Sequence, residues 1–266
     1  MTHPELEPVA VEAATYPSLR GRAVLITGGG SGIGAHLVEA FAQQGARVGF
    51  IERDAVAAEA TAEAVAAATG LRPTFTIADL TDIAATREAI ASLSGRCGAF
   101  RVLVNNAGND DRLRVEDVTP DYWDERFAVN LRHQFFAAQM VIGPMAEAGG
   151  GSIVNMGSNS WMQGAPGLIC YTTAKSAVQG LTKSLARELG DRRIRVNAVL
   201  PGWILTERQV NRAKAIYPDK FADYLTRQCL KEFLLPPDVA RMVLWLAADD
   251  ARLVTAQSFI IDAGVV

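Results

Sequence analysis

The alternation of short apolar runs with alanine-rich helical segments constrains the fold of this chain more than any other feature. Most of the runs are apolar throughout, as are the strands of a parallel sheet that is covered on both faces. Segments such as 54–68 and 82–93 have helical character, so the chain is predicted to repeat strand–helix–strand units. We expect an α/β fold with one doubly wound parallel sheet of about seven strands. The predicted strands span residues 22–27, 46–51, 73–78, 101–105, 152–156, 194–200 and 258–262.

Two segments stand outside this alternation. Residues 1–19 are rich in acidic residues, alanine and proline, and we interpret them as an N-terminal arm on the body of the protein. Residues 20–266 are predicted to form one domain. Within it, residues 203–235 follow a strand end with a helical sequence of mixed polarity. An insertion at such a place is suited to cover a substrate site.

Composition bears on several classes of partner. The net charge of the chain is −3, so we expect neither nucleic acid nor an anionic membrane surface as a partner. Its cysteines and histidines are scattered, which argues against disulfide bonds and against a metal site. No apolar stretch approaches the roughly 18 residues of a transmembrane helix, and the N-terminus has no signal-peptide pattern. We therefore expect a cytoplasmic protein without a metal.

A glycine-rich stretch, "TGGGSGIG" at 27–34, follows the first predicted strand and opens a predicted helix. The spacing of Gly28, Gly32 and Gly34 allows a sharp turn and a close approach of the backbone to a pyrophosphate at the helix N-terminus. A glycine-rich turn without a ligand is the alternative. The position between strand and helix favours a Rossmann-type dinucleotide site, with Ser31 and Ile33 in the same loop.

The end of the second predicted strand favours NAD over NADP. Glu52 can accept hydrogen bonds from both hydroxyls of an adenosine ribose, and it repels a 2′-phosphate. Ser31, and not a basic residue, stands before the second glycine of the motif. Arg53 is the competing feature, because an arginine beside the ribose could hold a phosphate; a solvated surface arginine is the other interpretation. Asp79 and Leu80 end the third strand, where adenine would lie, although Asp79 could instead cap a helix.

Six motifs occur in order along residues 20–264, and through them the chain resembles the short-chain dehydrogenase/reductase family. The motifs are "TGGGSGIG", "NNAG" (105–108), the asparagine of "FAVNL" (Asn130), Ser158, "YTTAK" (171–175) and "PGWILT" (201–206). The resemblance implies a nicotinamide cofactor. The further cofactor residues that it implies are Asn106, Ala107, Gly108, Tyr171, Lys175, Pro201, Gly202, Ile204 and Thr206.

Ser158, Tyr171 and Lys175 form the predicted catalytic group, and the resemblance adds Asn130 through a water that would link Lys175 to solvent. Tyr171 and Lys175 are four residues apart, so on a helix they share a face. A free tyrosine has a pKa of ~10, and a nearby ammonium group is expected to lower it. Tyr171 can then act as general base, while Ser158 holds the substrate oxygen. An exposed pair on a helix is the commoner meaning of such a tyrosine and lysine taken alone.

A narrower likeness is to the bacterial NAD-dependent sugar dehydrogenases of this family, D-xylose 1-dehydrogenases in particular. It rests on "YPSLRGRAVLITGGGSGIGA", "NNAGNDDR", "YWDERFAVNLRHQFF" and "SNSW", although Leu113 stands where those enzymes often have histidine. Trp161 is either a wall against a sugar ring or a core aromatic. The predicted substrate residues are Asn109, Asp110, Ser158, Ser160, Trp161, Gln163, Tyr171 and Arg208.

Three functions follow from these interpretations. The leading one is NAD-dependent oxidation of an aldose, such as D-xylose, at C1 to the lactone. Oxidation of a deoxy-keto sugar acid or a polyol is the second, because Arg112 and Arg208 would suit an acidic sugar. A catalytically silent NAD-binding protein is the third, and the presence of all four catalytic residues disfavours it. The resemblance also implies a homo-oligomer, a dimer or a tetramer, that pairs through helices around 121–148 and 171–189.

Overall fold

One sheet of parallel strands organises the molecule, which is described here by a computed structural model covering residues 12–216 and 220–266. The strands are β1 Ala23–Thr27, β2 Arg47–Glu52, β3 Thr74–Ile77, β4 Val102–Asn105, β5 Gly151–Met156, β6 Ile194–Pro201 and β7 Ser258–Ile261. Their order in the sheet is β3-β2-β1-β4-β5-β6-β7, and each neighbouring pair is parallel. The prediction of a doubly wound parallel sheet of seven strands is confirmed.

Helices cover both faces of this sheet. They are α1 Gly32–Gln43, α2 Ala55–Thr69, α3 Ile83–Cys97, α4 Pro120–Phe127, α5 His133–Glu147, α6 Ile169–Leu189, α7 Glu207–Ile216, α8 Lys220–Arg227 and α9 Pro236–Ala247. A π turn, Ala128–Arg132, joins α4 to α5.

Local sequence sets several helix ends. The Asp54 side chain accepts hydrogen bonds from the backbone N–H groups of Val56 and Ala57, and α2 therefore begins after it. The same helix ends at Gly70, whose φ of +72° suits glycine. Asp82 caps α3 in the same way as Asp54 caps α2.

Strand side chains alternate between two apolar layers. Val24 and Ile26 of β1 pack in the layer that contains α1, α2 and α9, whereas Ala23 and Leu25 pack in the layer that contains α3, α5 and α6. All four are at most 1% exposed. Full burial of a valine, leucine or isoleucine contributes about 1.5–3 kcal/mol, which explains why these four consecutive residues are all apolar.

The strand order places a cleft at one edge of the sheet. β2 and β3 lie on one side of β1, and β4 to β7 lie on the other. The connections after β1 and β4 therefore leave in opposite directions, and a crevice opens between them at the carboxyl ends of the strands. The cleft at this edge has a volume of about 640 Å³.

The segment 203–235 is less helical than predicted. α7 and α8 form its helical part, residues 217–219 lie outside the described residues, and residues 228–235 contain no helix. Pro236 follows Leu235, which adopts an extended backbone with φ −115° and ψ 160°. This stretch contacts the C-terminal end instead, where the N–H groups of Cys229 and Leu230 both donate to the carbonyl oxygen of Ala263.

Residues 1–11 of the predicted N-terminal arm lie outside the described residues. The end of the arm contacts the body: Leu19 is fully buried, and Tyr16 N donates to Gln44 Oε1 at 2.7 Å. In the part of the chain that the structure describes, no helix has the length and apolar character needed to cross a membrane.

Candidate active site

The glycine-rich turn joins β1 to α1 and leaves the start of the helix open to a ligand. Gly28 and Gly32 have φ of +69° and +55°, a conformation that other residues rarely adopt. A Cβ on Gly34 would lie 1.7 Å from the carbonyl oxygen of Gly28, so only glycine lets the turn pack against the helix. Among the described residues the Ser31 side chain makes no capping hydrogen bond. The first N–H groups of α1 are therefore available to an anion.

Hydrogen bonds between Thr27 and Asn106 hold the start of this turn against the end of β4. Asn106 Nδ2 donates to the carbonyl oxygens of Gly28 at 2.9 Å and Thr27 at 3.1 Å. In return, Thr27 Oγ1 accepts from the N–H groups of Asn106 and Ala107. Asn106, Ala107 and Gly108 line the cleft, as the sequence predicts for cofactor residues.

Backbone donors fix the carboxylate of Glu52 in the cleft wall. Glu52 Oε2 accepts from Gly30 N at 2.9 Å, and Oε1 accepts from the N–H groups of Arg53 at 2.9 Å and Asp54 at 3.3 Å. Arg53 also lines the cleft, with an exposed side chain. The acid predicted to select the cofactor is thus held in place by short-range contacts.

Asp79 and Leu80 lie at the same end of the cleft. Asp79 Oδ1 accepts from Thr81 N and from Thr81 Oγ1, both at 2.8 Å. The backbone hydrogen bond from Thr81, with a smaller contribution from the charge of Arg53, lowers the pKa of Asp79. The alternative interpretation of Asp79 as a helix cap is wrong, because Asp82 caps α3.

Ser158, Tyr171 and Lys175 meet in the middle of the cleft. Lys175 Nζ lies 5.8 Å from the centroid of the Tyr171 ring and donates to the carbonyl oxygen of Met156 at 2.8 Å. Ser158 follows β5, and its Oγ donates to Ser160 Oγ at 2.9 Å. Lys175 is only 2% exposed, so the pair is not an exposed pair on a surface helix.

Burial controls the ionisation of both groups. Burial, together with the charge of Asp110, raises the pKa of Tyr171 to about 12, and a hydrogen bond with Ser158 offsets only part of this. Burial lowers the pKa of Lys175 to about 7. The expectation that Lys175 lowers the pKa of the phenol is therefore not met. Because burial also disfavours the charged form of this lysine, desolvation of the phenolate dominates.

Asn130 lies in the π turn, fully buried and outside the cleft wall. Its Oδ1 accepts from Asn109 N at 2.9 Å, and its Nδ2 donates to the carbonyl oxygens of Asn109 and Arg126. A Cβ on Gly108 would lie 3.1 Å from Asn130 Oδ1 and 3.2 Å from Lys175 Nζ. The side chains of Asn130 and Lys175 therefore both approach Gly108.

The segment after β6 passes over the glycine-rich turn. A Cβ on Gly32 would lie 3.1 Å from Thr206 Cγ2, which shows how closely the two segments pack. Trp203 N donates to Tyr224 Oη at 2.9 Å and so connects this segment to α8. The predicted cofactor residues here all line the cleft: Pro201, Gly202, Ile204 and Thr206.

Charged groups tie the loop after β4 to α7. Asp110 Oδ2 accepts from Gln209 Nε2 at 2.8 Å and from Arg212 Nη1 at 2.7 Å. Burial alone would raise the pKa of Asp110, but these hydrogen bonds and the arginine charge hold it below its usual value. Arg208 pairs with Asp111 at 2.7 Å. Asp110 and Arg208 line the cleft as predicted, and they also hold α7 across its mouth.

The remaining predicted substrate residues divide into two groups. Asn109, Ser160 and Gln163 line the cleft, as does Arg112, whereas Trp161 does not belong to its wall. The interpretation of Trp161 as a wall against a sugar ring does not fit this placement.

Several residues of the site escaped sequence reasoning. For Arg212 the sequence offered one usable signal. It lies four residues after Arg208, so the two guanidinium groups lie on one side of a helix. The others are joined by contacts between distant parts of the chain, which leave no local pattern. The missed residues are Thr27, Asp111, Arg126, Asn159, Trp203, Gln209, Arg212, Tyr224, Arg227 and Asp262.

Comparison with known proteins agrees with this geometry. Residues 28–266 match the sequence model of the family described as enoyl-(acyl carrier protein) reductase. A solved variant of a Serratia marcescens short-chain dehydrogenase/reductase superposes with a TM-score of 0.84 at 34% identity, covering 93% of this chain and 99% of that one. The chain belongs to the short-chain dehydrogenase/reductase family. Levodione reductase, another solved structure, superposes on this dehydrogenase with a TM-score of 0.86 at 31% identity over 92% of this chain and 97% of that one.

Two curated relatives align with the dehydrogenase over nearly its whole length. The "probable galactose dehydrogenase GalD" of Rhizobium meliloti (strain 1021) is 49% identical, with 97% of this chain and 100% of that protein aligned. The D-xylose 1-dehydrogenase of Caulobacter vibrioides (strain NA1000 / CB15N) is 46% identical, with 96% and 99% aligned. The protein is therefore an oxidoreductase, and its family uses a nicotinamide cofactor. The residues present fit such a group, because the glycines leave room beside an open helix N-terminus and Glu52 presents a fixed carboxylate.

Proposed function

We propose that this dehydrogenase oxidises an aldose at its anomeric carbon to the lactone, with NAD as the hydride acceptor. The observation that carries the proposal is the near-full-length similarity to two sugar dehydrogenases, one named for galactose and one for D-xylose. D-xylose and related aldoses are the first candidates for the substrate. The polar groups at the substrate end of the cleft support it, since sugar hydroxyls need hydrogen-bond partners.

Tyr171 is the proposed general base. Oxidation removes a proton from the C1 hydroxyl and a hydride from C1. When bound, NAD supplies the hydride acceptor and the positive charge of its nicotinamide ring. In its phenolate form, which the positive charge of a bound nicotinamide ring would favour, Tyr171 Oη takes the proton, and Ser158 Oγ turns from Ser160 to donate a hydrogen bond to the substrate oxygen. Lys175, whose Nζ lies 5.8 Å from the centre of the Tyr171 ring, would pass the proton on toward solvent, and Asn130 supports it from the π turn.

Glu52 is the proposed determinant of NAD specificity. Three backbone N–H groups already hold its carboxylate, so it cannot turn away from a 2′-phosphate without losing those hydrogen bonds. Repulsion between the two anions then excludes NADP. Arg53 is exposed and is assigned no phosphate-binding role.

The proposed roles extend to the rest of the cleft. The cofactor would be held by Gly28, Ser31, Gly32, Ile33, Gly34, Glu52, Asp79, Leu80, Asn106, Ala107, Gly108, Tyr171, Lys175, Pro201, Gly202, Ile204 and Thr206. The substrate would contact Asn109, Asp110, Ser158, Ser160, Gln163, Tyr171 and Arg208.

We also propose a cytoplasmic homo-oligomer, a dimer or tetramer, in which residues 1–19 form an arm and residues 20–266 the dehydrogenase domain. The exposed apolar side chains of Trp123, Phe135 and Ile169 support pairing through the helices around 121–148 and 171–189.

A substrate panel tests the proposed function. The purified protein is mixed with NAD or NADP and with D-xylose, D-galactose, other aldoses, polyols, sugar acids, steroids and long-chain alcohols, and the absorbance of the reduced cofactor is followed. We expect the highest kcat/KM for an aldose with NAD, and a lactone as the product. A preference for sugar acids or polyols would support the second function instead. Efficient oxidation of steroids or long-chain alcohols, with every sugar ignored, would overturn the proposal.

A further inference from the structure

Four polar side chains form a continuous hydrogen-bond chain across the substrate end of the cleft. Arg227 of α8 donates to Gln163 Oε1 at 2.7 Å, and Gln163 Nε2 donates to Asn159 Oδ1 at 2.8 Å. Asn159 Nδ2 donates in turn to Asp262 Oδ2 at 2.9 Å. The chain thus connects α8, the turn after Ser158 and the end of β7.

The two charged ends give this chain a direction. Arg227 can only donate hydrogen bonds. Asp262 only accepts them here, because its two oxygens also receive the N–H groups of Gly264 at 2.8 Å and Val266 at 3.1 Å. An amide between such ends must turn its oxygen toward the arginine and its nitrogen toward the aspartate. Asn159 and Asp262 are 2% and 4% exposed, so reversing one amide would leave buried groups without partners.

Gln163 accepts a hydrogen bond from Arg227, and it also lines the substrate end of the cleft. Its oxygen faces Arg227, and one N–H is used by Asn159. The amide has a second N–H, for which the described residues provide no acceptor. This group is a hydrogen-bond donor of fixed orientation, suited to the oxygen of a sugar hydroxyl.

We propose that Asn159 and Asp262 are positioning residues that hold Gln163 as a hydrogen-bond donor to a substrate hydroxyl, with Arg227 closing the chain from α8. The assignment rests on the proposed sugar dehydrogenase activity for the identity of the acceptor, but the direction of the chain does not. Gln163 is then a specificity-determining residue that favours an acceptor at this point. Because Asn159 directly follows Ser158, the same chain fixes the turn that carries the catalytic hydroxyl.

The first test replaces the donor without changing the shape of the side chain. Gln163→Glu still accepts from Arg227, but a carboxylate cannot donate to Asn159 Oδ1, and Asp262 prevents Asn159 from turning over. We expect a Tm lower by roughly 3–6 °C and a KM for the sugar higher by about tenfold, with a smaller change in kcat. Gln257→Glu is the matched control on an exposed glutamine, whose hydrogen bond to the carbonyl oxygen of Thr255 water can replace, and we expect little change in either quantity.

The second test reverses the chain. In Asp262→Asn the new amide can keep its oxygen on Gly264 N and donate to Asn159 Oδ1, so that Asn159 Nδ2 faces residue 163. Combined with Gln163→Glu, every side chain in this series again has a partner, and the N–H of Val266, which is 51% exposed, exchanges its acceptor on residue 262 for solvent. We expect the double variant to regain at least about half of the lost Tm. Its KM should stay raised, because a carboxylate at 163 still cannot donate to the substrate.

These readouts separate the parts of the proposal. A Tm of the double variant no higher than that of Gln163→Glu would overturn the directed chain, and this cycle needs no substrate. A KM restored in the double variant, or unchanged in Gln163→Glu, would overturn the donor role of Gln163. Absence of turnover with every sugar in the unmodified protein would instead refute the proposed function and leave the Tm cycle interpretable.

Discussion

At the cofactor end of the cleft the wall is mostly backbone, whereas at the substrate end it is a network of charged and amide side chains. The glycine-rich turn offers N–H groups within residues 28–34, and even Glu52 is oriented by backbone donors. The substrate end depends on pairs such as Arg212 with Asp110 and Asn159 with Asp262, which are 102 and 103 residues apart in the chain.

This difference bears on how each end can change. A backbone site tolerates few substitutions, because a single Cβ at Gly34 would meet a carbonyl oxygen. A side-chain network can be rebuilt by two or three compensating replacements. The two sugar dehydrogenases to which this chain is similar are named for different sugars.

The largest expected effect is a loss of turnover without a loss of NAD affinity. Tyr171 lies where they meet, and Tyr171→Phe should lower kcat by a factor on the order of 10²–10⁴ because the proton acceptor is lost. NAD affinity, measured by calorimetric titration, should change little. Tyr16→Phe is the control, because Tyr16 lies in the N-terminal arm, where it packs against the apolar core. Near-normal turnover in a folded Tyr171→Phe protein would contradict the mechanism.

The backbone character of the cofactor end predicts the next effect. In Gly34→Ala the added Cβ would clash with Gly28 and with Asn106 Nδ2, which lies 2.8 Å away. The free turn can relieve this clash by moving, and it must return to its original shape to bind NAD, so a cost on the order of 3 kcal/mol would lower NAD affinity by about 100-fold. Gly95→Ala in α3 is the matched control, because nothing lies within 4 Å of its Cβ position, and it should stabilise the protein slightly. Equal NAD affinity in both variants would show that the turn adapts more easily than its geometry indicates.

His133, which is buried at the start of α5, should make the free energy of unfolding sensitive to acid. Burial, and then the charge of Lys175, lower its pKa to about 3. The unfolded histidine has a pKa of about 6.5, so below that pH the unfolded chain binds a proton that the folded chain does not. The folded state then loses stability from pH 6.5 down to about 3, and by about 2 kcal/mol at pH 5.

Urea unfolding at pH 7 and pH 5 measures this loss. His133→Gln should lose less stability between the two values than the unmodified protein, whereas His36→Gln should lose as much as the unmodified protein. Identical losses in all three proteins would mean that another group causes the acid sensitivity.

The smallest expected effect concerns the choice of cofactor. Glu52→Ala should reduce the preference for NAD over NADP by about tenfold, because the repulsion of the 2′-phosphate is removed. The ratio of kcat/KM for the two cofactors gives the result, and Glu63→Ala on the exposed side of α2 provides the control. If the unmodified protein used both cofactors equally well, Arg53 would be the determinant instead.

Local pattern was sufficient to predict the sheet and the shape of the glycine-rich turn. Every predicted strand ends within one residue of an observed one, because burial on both faces favours apolar side chains at consecutive positions, as at residues 23–26 of β1. The spacing of Gly28, Gly32 and Gly34 is likewise a local property, since the clash that excludes other residues arises within one turn. The cleft also brings together Ser158, Tyr171 and Lys175, which the motifs placed in the catalytic group.

Tertiary structure alone decided the side-chain contacts at the other end of the cleft and the ionisation of Tyr171 and Lys175. No local pattern links Asn159 to Asp262, because their contact depends on where β5 and β7 end in the folded sheet. The raised pKa of Tyr171 reflects its burial near Asp110, a degree of desolvation that a four-residue spacing cannot reveal. Sequence periodicity records which face of an element is buried, whereas partners and desolvation are set by distances between elements that are far apart in the chain.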